Sequence, residues 1–434
     1  MWMALSLAVL LQAPAATAPT SPPVAVTHTG TSANFSSNLS ANLAASLSAD
    51  LSADLDALVR KHSVPGMAAA VIIDGKLARV GAAGKRARGE PADATVNDLW
   101  HLGSCAKAMT ATLAATLVDR GELRWSSTLP ELFPDETIPD AWRGVTLENL
   151  LTHRAGLPAT ITDQALWGSL FTSTSSTRDD RRKVLRWVLS QKPGCKPGET
   201  FVYSNLGFMI AGHAIETRSD KAFEDVIAER LFAPLGITSA GLGPPKGDHP
   251  RGHRGPGPKA PPVKADEWAD NPRCLGPAGA FHMTISDWAR FVAFHATGEL
   301  ATPPITNDTK PDAKPDTKPD ANPDTKPLLP PALVKALHTP PIVPGAKPGD
   351  APATYAFGWV TTNRSWAKPG PESKGAAIMH NGSNTMWYCV AWVAPERGLA
   401  VVVACNQAGP AAERACDEAA AKFLTNAGDQ KGNP

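Results

Sequence analysis

Serine, lysine, tyrosine and histidine do chemistry when a fold presses them together away from water, and this chain places one of each where that can happen. From Leu99 to Val118 it reads LWHLGSCAKAMTATLAATLV, in which Lys107 is the only formally charged residue. The stretch from Ser104 to Val118 is apolar on nearly all sides, the pattern of a buried helix, and Gly121 closes it. Ser104 follows Gly103 at the start, where backbone N–H groups lack intrahelical partners. Lys107 comes three positions later, one turn on along the same face. Burial favours the neutral amine, and a neutral amine beside a hydroxyl is a general base touching a nucleophile. The competing reading lets Lys107 snorkel to water and makes Ser104 a plain N-cap. A second Ser-x-x-Lys, Ser365-Trp366-Ala367-Lys368, runs into Pro369-Gly370 and cannot head a helix. Context selects Ser104.

Two more elements offer partners. Of three tyrosines, only Tyr203 has an asparagine, Asn205, two residues on. It follows the turn Pro197-Gly198-Glu199-Thr200 and precedes the apolar run Leu206 to Ile215. A loop entering a helix there projects Tyr203 and Asn205 together into a cleft, where a phenol near a lysine, held partly as phenolate, shuttles protons. The bland alternative is a structural tyrosine capping the loop. The other element is His380-Asn381-Gly382. His-x-Gly occurs also at His28-Thr29-Gly30 and His253-Arg254-Gly255, but only His380 is read as ending a strand. Gly382 then permits close backbone approach by a ligand.

These residues must be held by something larger. Leu43, Leu47, Leu51, Leu55 and Val59 mark one face of an amphipathic helix. Met67 to Ile73, Asp74-Gly75 and Lys76 to Gly81 predict a β-hairpin with a type I′ turn. Helical patterns dominate from about 102 to 295, with Gly/Pro loops such as 241–262. Strand-like runs return at 376–380, 386–394 and 399–405, the last two joined by Pro395-Glu396-Arg397-Gly398, and a helix follows at 411–424. The fold class is therefore α+β: an antiparallel sheet formed from N- and C-terminal segments, flanked by helices, with an inserted mostly helical subdomain. A cleft belongs where subdomain meets sheet.

The 434 residues carry 42 basic and 41 acidic side chains, a net charge of +1. No basic excess exists to hold nucleic acid, and no apolar run is long enough for an integral membrane segment. Residues 1–18, apolar to Leu11 and then rich in small residues, are read as a secretory signal peptide, and 19–40 as a disordered tail. The principal domain is placed at 41–427. Within it, 302–330 is a proline-rich insert, with five Asp-x-x-Pro repeats over 308–327 that forbid helix and favour extended, solvated chain. The six cysteines, 105, 195, 274, 389, 405 and 416, lack zinc spacing. In an exported protein Cys195 and Cys274 could join, while Cys105, Cys389 and Cys405 read as core packing. His249 and His253 share no helix face, so no metal site is expected.

Together and in this order, the Ser104, Tyr203 and His380 elements resemble the serine β-lactamase and penicillin-binding-protein superfamily. The likeness is to the branch of cephalosporinase-type β-lactamases, D-alanyl-D-alanine carboxypeptidases, D-aminopeptidases and esterases. LTHRAGLP (151–158), PGETFVYSNLGFMIAGHAIE (197–216), PAGAFHMTISDWARFV (277–292) and YAFGW (355–359) also resemble it. The resemblance covers roughly 51–424 apart from the insert. It implies a β-lactamase/DD-peptidase-like fold, with Ser104 as acylated nucleophile, Lys107 as its base and Tyr203 in the proton relay. Asn205 would bind the substrate carbonyl side, with Asn381, Gly382 and Ser383 also on the substrate. The N–H groups of Ser104 and Ser383 would form the oxyanion hole. His380 takes the place of the lysine in Lys-Thr-Gly and, being mostly neutral near pH 7, weakens anchoring of an anionic substrate. His153, Arg154 and His282 are given structural roles. The resemblance implies neither metal nor organic cofactor, a small-molecule or peptide substrate, and an exported, periplasmic or secreted enzyme. The function read is a serine hydrolase forming an acyl-enzyme on an amide, peptide or ester bond. Alternatives are a β-lactamase proper and a non-catalytic or slowly acylating sensor module.

Overall fold

The computed structural model describes residues 51–265, 267–300, 327–345 and 353–430. The expected signal peptide, the tail, the first half of the Leu43–Val59 helix and nearly all of the repeat lie outside them.

The described residues form nine strands: β1 (Gly66–Ile73), β2 (Lys76–Gly84), β3 (Leu99–His101), β4 (Gly241–Leu242), β5 (Phe281–Thr284), β6 (Val360–Asn363), β7 (Ala376–Ser383), β8 (Tyr388–Ala394) and β9 (Leu399–Cys405). The main sheet runs β2-β1-β9-β8-β7-β6, antiparallel throughout, and β1 pairs with β9 from Met67 opposite Cys405 to Ile73 opposite Leu399. The two ends of the chain thus build one sheet, as their apolar runs predict. The hairpin turn has Asp74 and Gly75 both at positive φ, 53° and 69°, the geometry a type I′ turn demands.

Of the helices, six matter here: α1 (Leu51–His62), α2 (Ala106–Asp119), α3 (Thr177–Leu189), α4 (Asn205–Ser219), α5 (Ile285–Thr297) and α6 (Pro410–Gln430). Side chains alternate across a strand, so β1 feeds two cores. Met67, Ala69 and Val71 pack with the Leu51–Leu55–Leu58 face of α1 and the alanine face of α6. Ala68, Ala70 and Ile72 face the opposite way, into the larger core built with α2, α4 and α5. β8 and β9 are buried along their whole length, which is why both read as unbroken apolar runs rather than alternating ones.

The helical subdomain contains one feature absent from the sequence reading, a small sheet ordered β3-β5-β4. A further correction concerns β7. His380 does not end its strand: β7 continues to Ser383, and Gly382 stays in register opposite Cys389. All six cysteines are free. Cys195 sits in a loop whose Gly194 N–H bonds the Gly156 carbonyl. Cys274 is buried in a turn whose carbonyl accepts from Arg181 Nε at 2.9 Å, so the two thiols belong to separately anchored segments.

Candidate active site

Lys107 lies on the first turn of α2, which is buried continuously from Ala106 to Leu117. Ser104 precedes α2 in a tight turn, Gly103–Cys105. The Lys107 side chain is 0% exposed, which removes the snorkelling alternative. Its Nζ is 3.0 Å from Ser104 Oγ, 2.8 Å from Asn205 Oδ1 and 2.6 Å from the Ala278 carbonyl. Burial pulls its pKa from 10.5 down to about 7. A neutral amine has two N–H groups and one lone pair. The two carbonyl oxygens, which can only accept, take the N–H groups, and the lone pair is left for the Ser104 hydroxyl proton.

α4 supplies the next partners. Ser204 caps it, its Oγ accepting the Leu206 N–H at 3.3 Å and donating to the Pro158 carbonyl at 2.6 Å. That double anchor places Tyr203 and Asn205 on either side of the cap, over Lys107. Tyr203 shares a hydrogen bond with Ser104, and Lys107 Nζ stands 4.8 Å from its ring centre. The phenolate expectation is corrected here. Burial drives the Tyr203 pKa well above its ordinary value of 10, only partly offset by the bond to Ser104, so the group is a neutral phenol able to pass a proton without holding a charge. With Asn205 Oδ1 committed to Lys107, its amide N–H groups remain for a ligand.

The opposite wall is β7. A methyl group on Gly382 would lie 2.9 Å from Ser104 N, and one on Gly103 would lie 2.4 Å from Ser383 N. No side chain fits between these two stretches of backbone, which brings the backbone nitrogens of Ser104 and Ser383 to the same side of the seam. Asn381 does not join them. Alternation along β7 turns its side chain to the far face, where Nδ2 donates to Tyr388 Oη at 3.3 Å.

His380 faces the site but has both ring nitrogens engaged. Nδ1 lies 2.5 Å from the Asn381 carbonyl and Nε2 lies 3.1 Å from Tyr355 Oη. The carbonyl can only accept, so Nδ1 carries the proton and Tyr355 donates to Nε2. Burial, aided by the nearby Lys107, pushes the His380 pKa down to about 3. The ring is therefore neutral, in line with the weak anchoring of an anionic substrate expected of a histidine at this position.

Two side chains here, Tyr355 and Phe201, were not singled out by the sequence. Tyr355, from YAFGW, is nearly buried, and its ring meets those of Tyr203, His153 and His380 at centroid distances of 6.3, 4.6 and 5.8 Å. His153 accepts the Ser204 N–H on Nδ1 at 3.1 Å and packs 4.3 Å from the Tyr203 ring, so its structural role consists of holding Tyr203. Arg154 binds the carbonyls of Gly198 and Glu199, fixing the loop before Tyr203. Phe201, exposed beside Tyr355 and His153, gives the rim an aromatic edge. Among the described residues, no cluster of three or more metal-ligating side chains is found, and no helix is long and apolar enough to cross a membrane.

An antiparallel sheet made from both chain ends, with this helical insert, is the architecture of the serine β-lactamase and penicillin-binding-protein superfamily. The chain belongs to the Beta-lactamase family, whose profile matches residues 51–425. Penicillin-binding protein 4 of Amycolatopsis lactamdurans is 32% identical over 248 residues, covering 55% of this chain and 61% of that protein. Unguisins hydrolase ungD' of Aspergillus campestris is 32% identical over 155 residues, 34% of this chain and 28% of that protein. The octameric penicillin-binding protein homologue from Pyrococcus abyssi superposes with a TM-score of 0.64 at 20% identity, covering 87% of this chain and 78% of that one, a likeness of fold. The matched stretches span less than two thirds of these curated relatives.

Proposed function

We propose that the protein is a serine hydrolase that cleaves an amide, peptide or ester bond through an acyl-enzyme on Ser104. The observation that carries this is the fully buried Lys107 amine, with a pKa near 7, at 3.0 Å from Ser104 Oγ. Lys107 takes the hydroxyl proton as Oγ attacks the carbonyl carbon. The oxyanion forms between the N–H groups of Ser104 and Ser383. As the bond to nitrogen or oxygen breaks, the leaving group takes the proton back through the Tyr203 phenol. Water then attacks the ester, passing its proton along the same path, and Ser104 leaves with it. Asn205 orients the substrate carbonyl side.

The neutral, fully engaged His380 narrows the substrate. Where a cation would hold a carboxylate, β7 presents this neutral imidazole, which favours esters and uncharged amides or peptides over β-lactams and free peptide C-termini. Export, read from residues 1–18, belongs to the same proposal.

Mass spectrometry after a fluorophosphonate probe tests the nucleophile: the adduct falls on Ser104 and disappears in Ser104→Ala. Steady-state rates on a chromogenic ester, a D-Ala-D-Ala peptide and a chromogenic cephalosporin then rank ester first and cephalosporin last. An adduct without turnover of any of these would favour the slowly acylating sensor instead.

A further inference from the structure

Behind the cleft lies a buried polar cluster that the reaction above does not use. His101, the last residue of β3, and Asp270 both have side chains that are 0% exposed, with Nε2 and Oδ2 2.7 Å apart. The other nitrogen of that ring, Nδ1, is 3.1 Å from Gly103 N. A backbone N–H can only donate, so Nδ1 holds the lone pair and Nε2 carries the proton toward Asp270. Both nitrogens are spent, which leaves the ring unable to act as a base on any substrate.

Asp270 reaches a second segment through its other oxygen. Oδ1 accepts from Asn384 Nδ2 at 2.9 Å and from the Asn271 N–H at 2.8 Å. Asn384, itself buried, uses Oδ1 to accept the N–H groups of Met386 and Trp387, each at 3.2 Å. The Trp387 ring stacks on His101 with centroids 5.4 Å apart. One carboxylate therefore grips the segment leading into Ser104 and the segment leaving Ser383. Burying a carboxylate is costly unless its oxygens are satisfied, and apolar side chains would fill the same gap without that cost. What the polar groups add is direction, because hydrogen bonds fix the two backbones where packing alone would let them slide.

We propose that Asp270, His101 and Asn384 are positioning residues that set the spacing and aim of the Ser104 and Ser383 N–H groups, and thereby the rate of acylation. The inference rests on the oxyanion site proposed above. Removing a donor aimed at developing charge costs about a hundredfold to a thousandfold in rate, and displacing one costs part of that.

The test uses two replacements that each copy one side of the ring. His101→Gln keeps a donor toward Asp270 and lacks the acceptor for Gly103, whereas His101→Asn keeps that acceptor and lacks the donor. Active sites are counted with a labelled fluorophosphonate, so that loss of folded protein does not pass for loss of rate. Per active site, His101→Gln lowers kcat on a chromogenic ester at least tenfold with KM within about twofold. A phenylboronic acid, which forms a tetrahedral adduct on Ser104, binds more weakly by a similar factor. His101→Asn, which cuts the link to Asp270 but keeps the Gly103 bond, loses rate by a smaller factor than His101→Gln even where it melts at lower temperature. Unchanged kcat and boronate affinity in folded His101→Gln, or equal losses in both variants tracking only their melting temperatures, would overturn the proposal. Labelling of wild-type Ser104 is measured first, so failure of the hydrolase reading shows there and not in the comparison of variants.

Discussion

At the residue scale, one amine sets the terms. Moving Lys107 from 10.5 to about 7 means that between those values the unfolded chain holds a proton that the folded chain does not, so stability rises with pH across that window. Lys107→Met removes this slope. Its stability relative to wild type should grow by a few kcal/mol as pH falls from about 10 to about 7 and stay level below, as read by denaturant unfolding at a series of pH values, while activity is lost at every pH. A constant difference across the series would mean that the amine keeps its charge when folded. Tyr355→Phe tests the other wall. Burial and Lys107 still keep the His380 ring neutral in this variant, but the ring loses the hydroxyl that fixes its Nε2, so kcat/KM for a neutral ester should fall severalfold. An unchanged kcat/KM would show that Tyr355 merely packs. Ser104 and Lys107 were legible because a lone charge in an apolar helix needs a reason. Tyr355, His101 and Asp270 were not, since their partners lie far along the chain and none sits in a pattern of its own.

At the element scale, the site depends on α4 being held where Tyr203 and Asn205 meet Lys107. Arg181 of α3 is fully buried and bridges Glu216, on α4, and Glu224 just beyond it. Removing one member of a buried ionic group leaves the rest uncompensated, at about 3–5 kcal/mol. Arg181→Ala should lose about that much in denaturant unfolding; a loss below about 1 kcal/mol would mean that the bridge is dispensable. Helix α4 and strands β8 and β9 could be read from their long apolar runs. The small sheet could not, because β3, β4 and β5 have three, two and four residues, too few to show a period. β7 was cut short at His380 because Gly382 reads as a break, whereas its pairing with Cys389 carries the ladder past it.

At the scale of the whole molecule, the sheet from two chain ends was foreseeable because β1, β8 and β9 are apolar enough to need cover on both faces. How many histidines that cover would trap was not. His253, His282 and His338 are pushed down to about 4 and His380 to about 3, while His153 and His295 fall well below 6.5, burial leading in each case. The unfolded chain takes up these protons near 6.5 and the folded chain only near 4 or below, so stability drains away as pH falls through that range. Asp417, raised by burial to about 6, and Glu148, also raised by burial, oppose this, but as two groups against six. Circular dichroism should show unfolding between about pH 6 and 4; a fully folded chain at pH 4 would contradict the trapped-histidine account.

The most direct test of the mechanism is the pH dependence of Ser104 acylation by an uncharged chromogenic ester, followed in the pre-steady state. A neutral Lys107 predicts a rate that falls tenfold per unit below a single inflection near pH 7, with Lys107→Met near zero throughout. A rate that stays level from pH 8 to pH 5, or acylation of Lys107→Met as fast as wild type, would show that this amine is not the base.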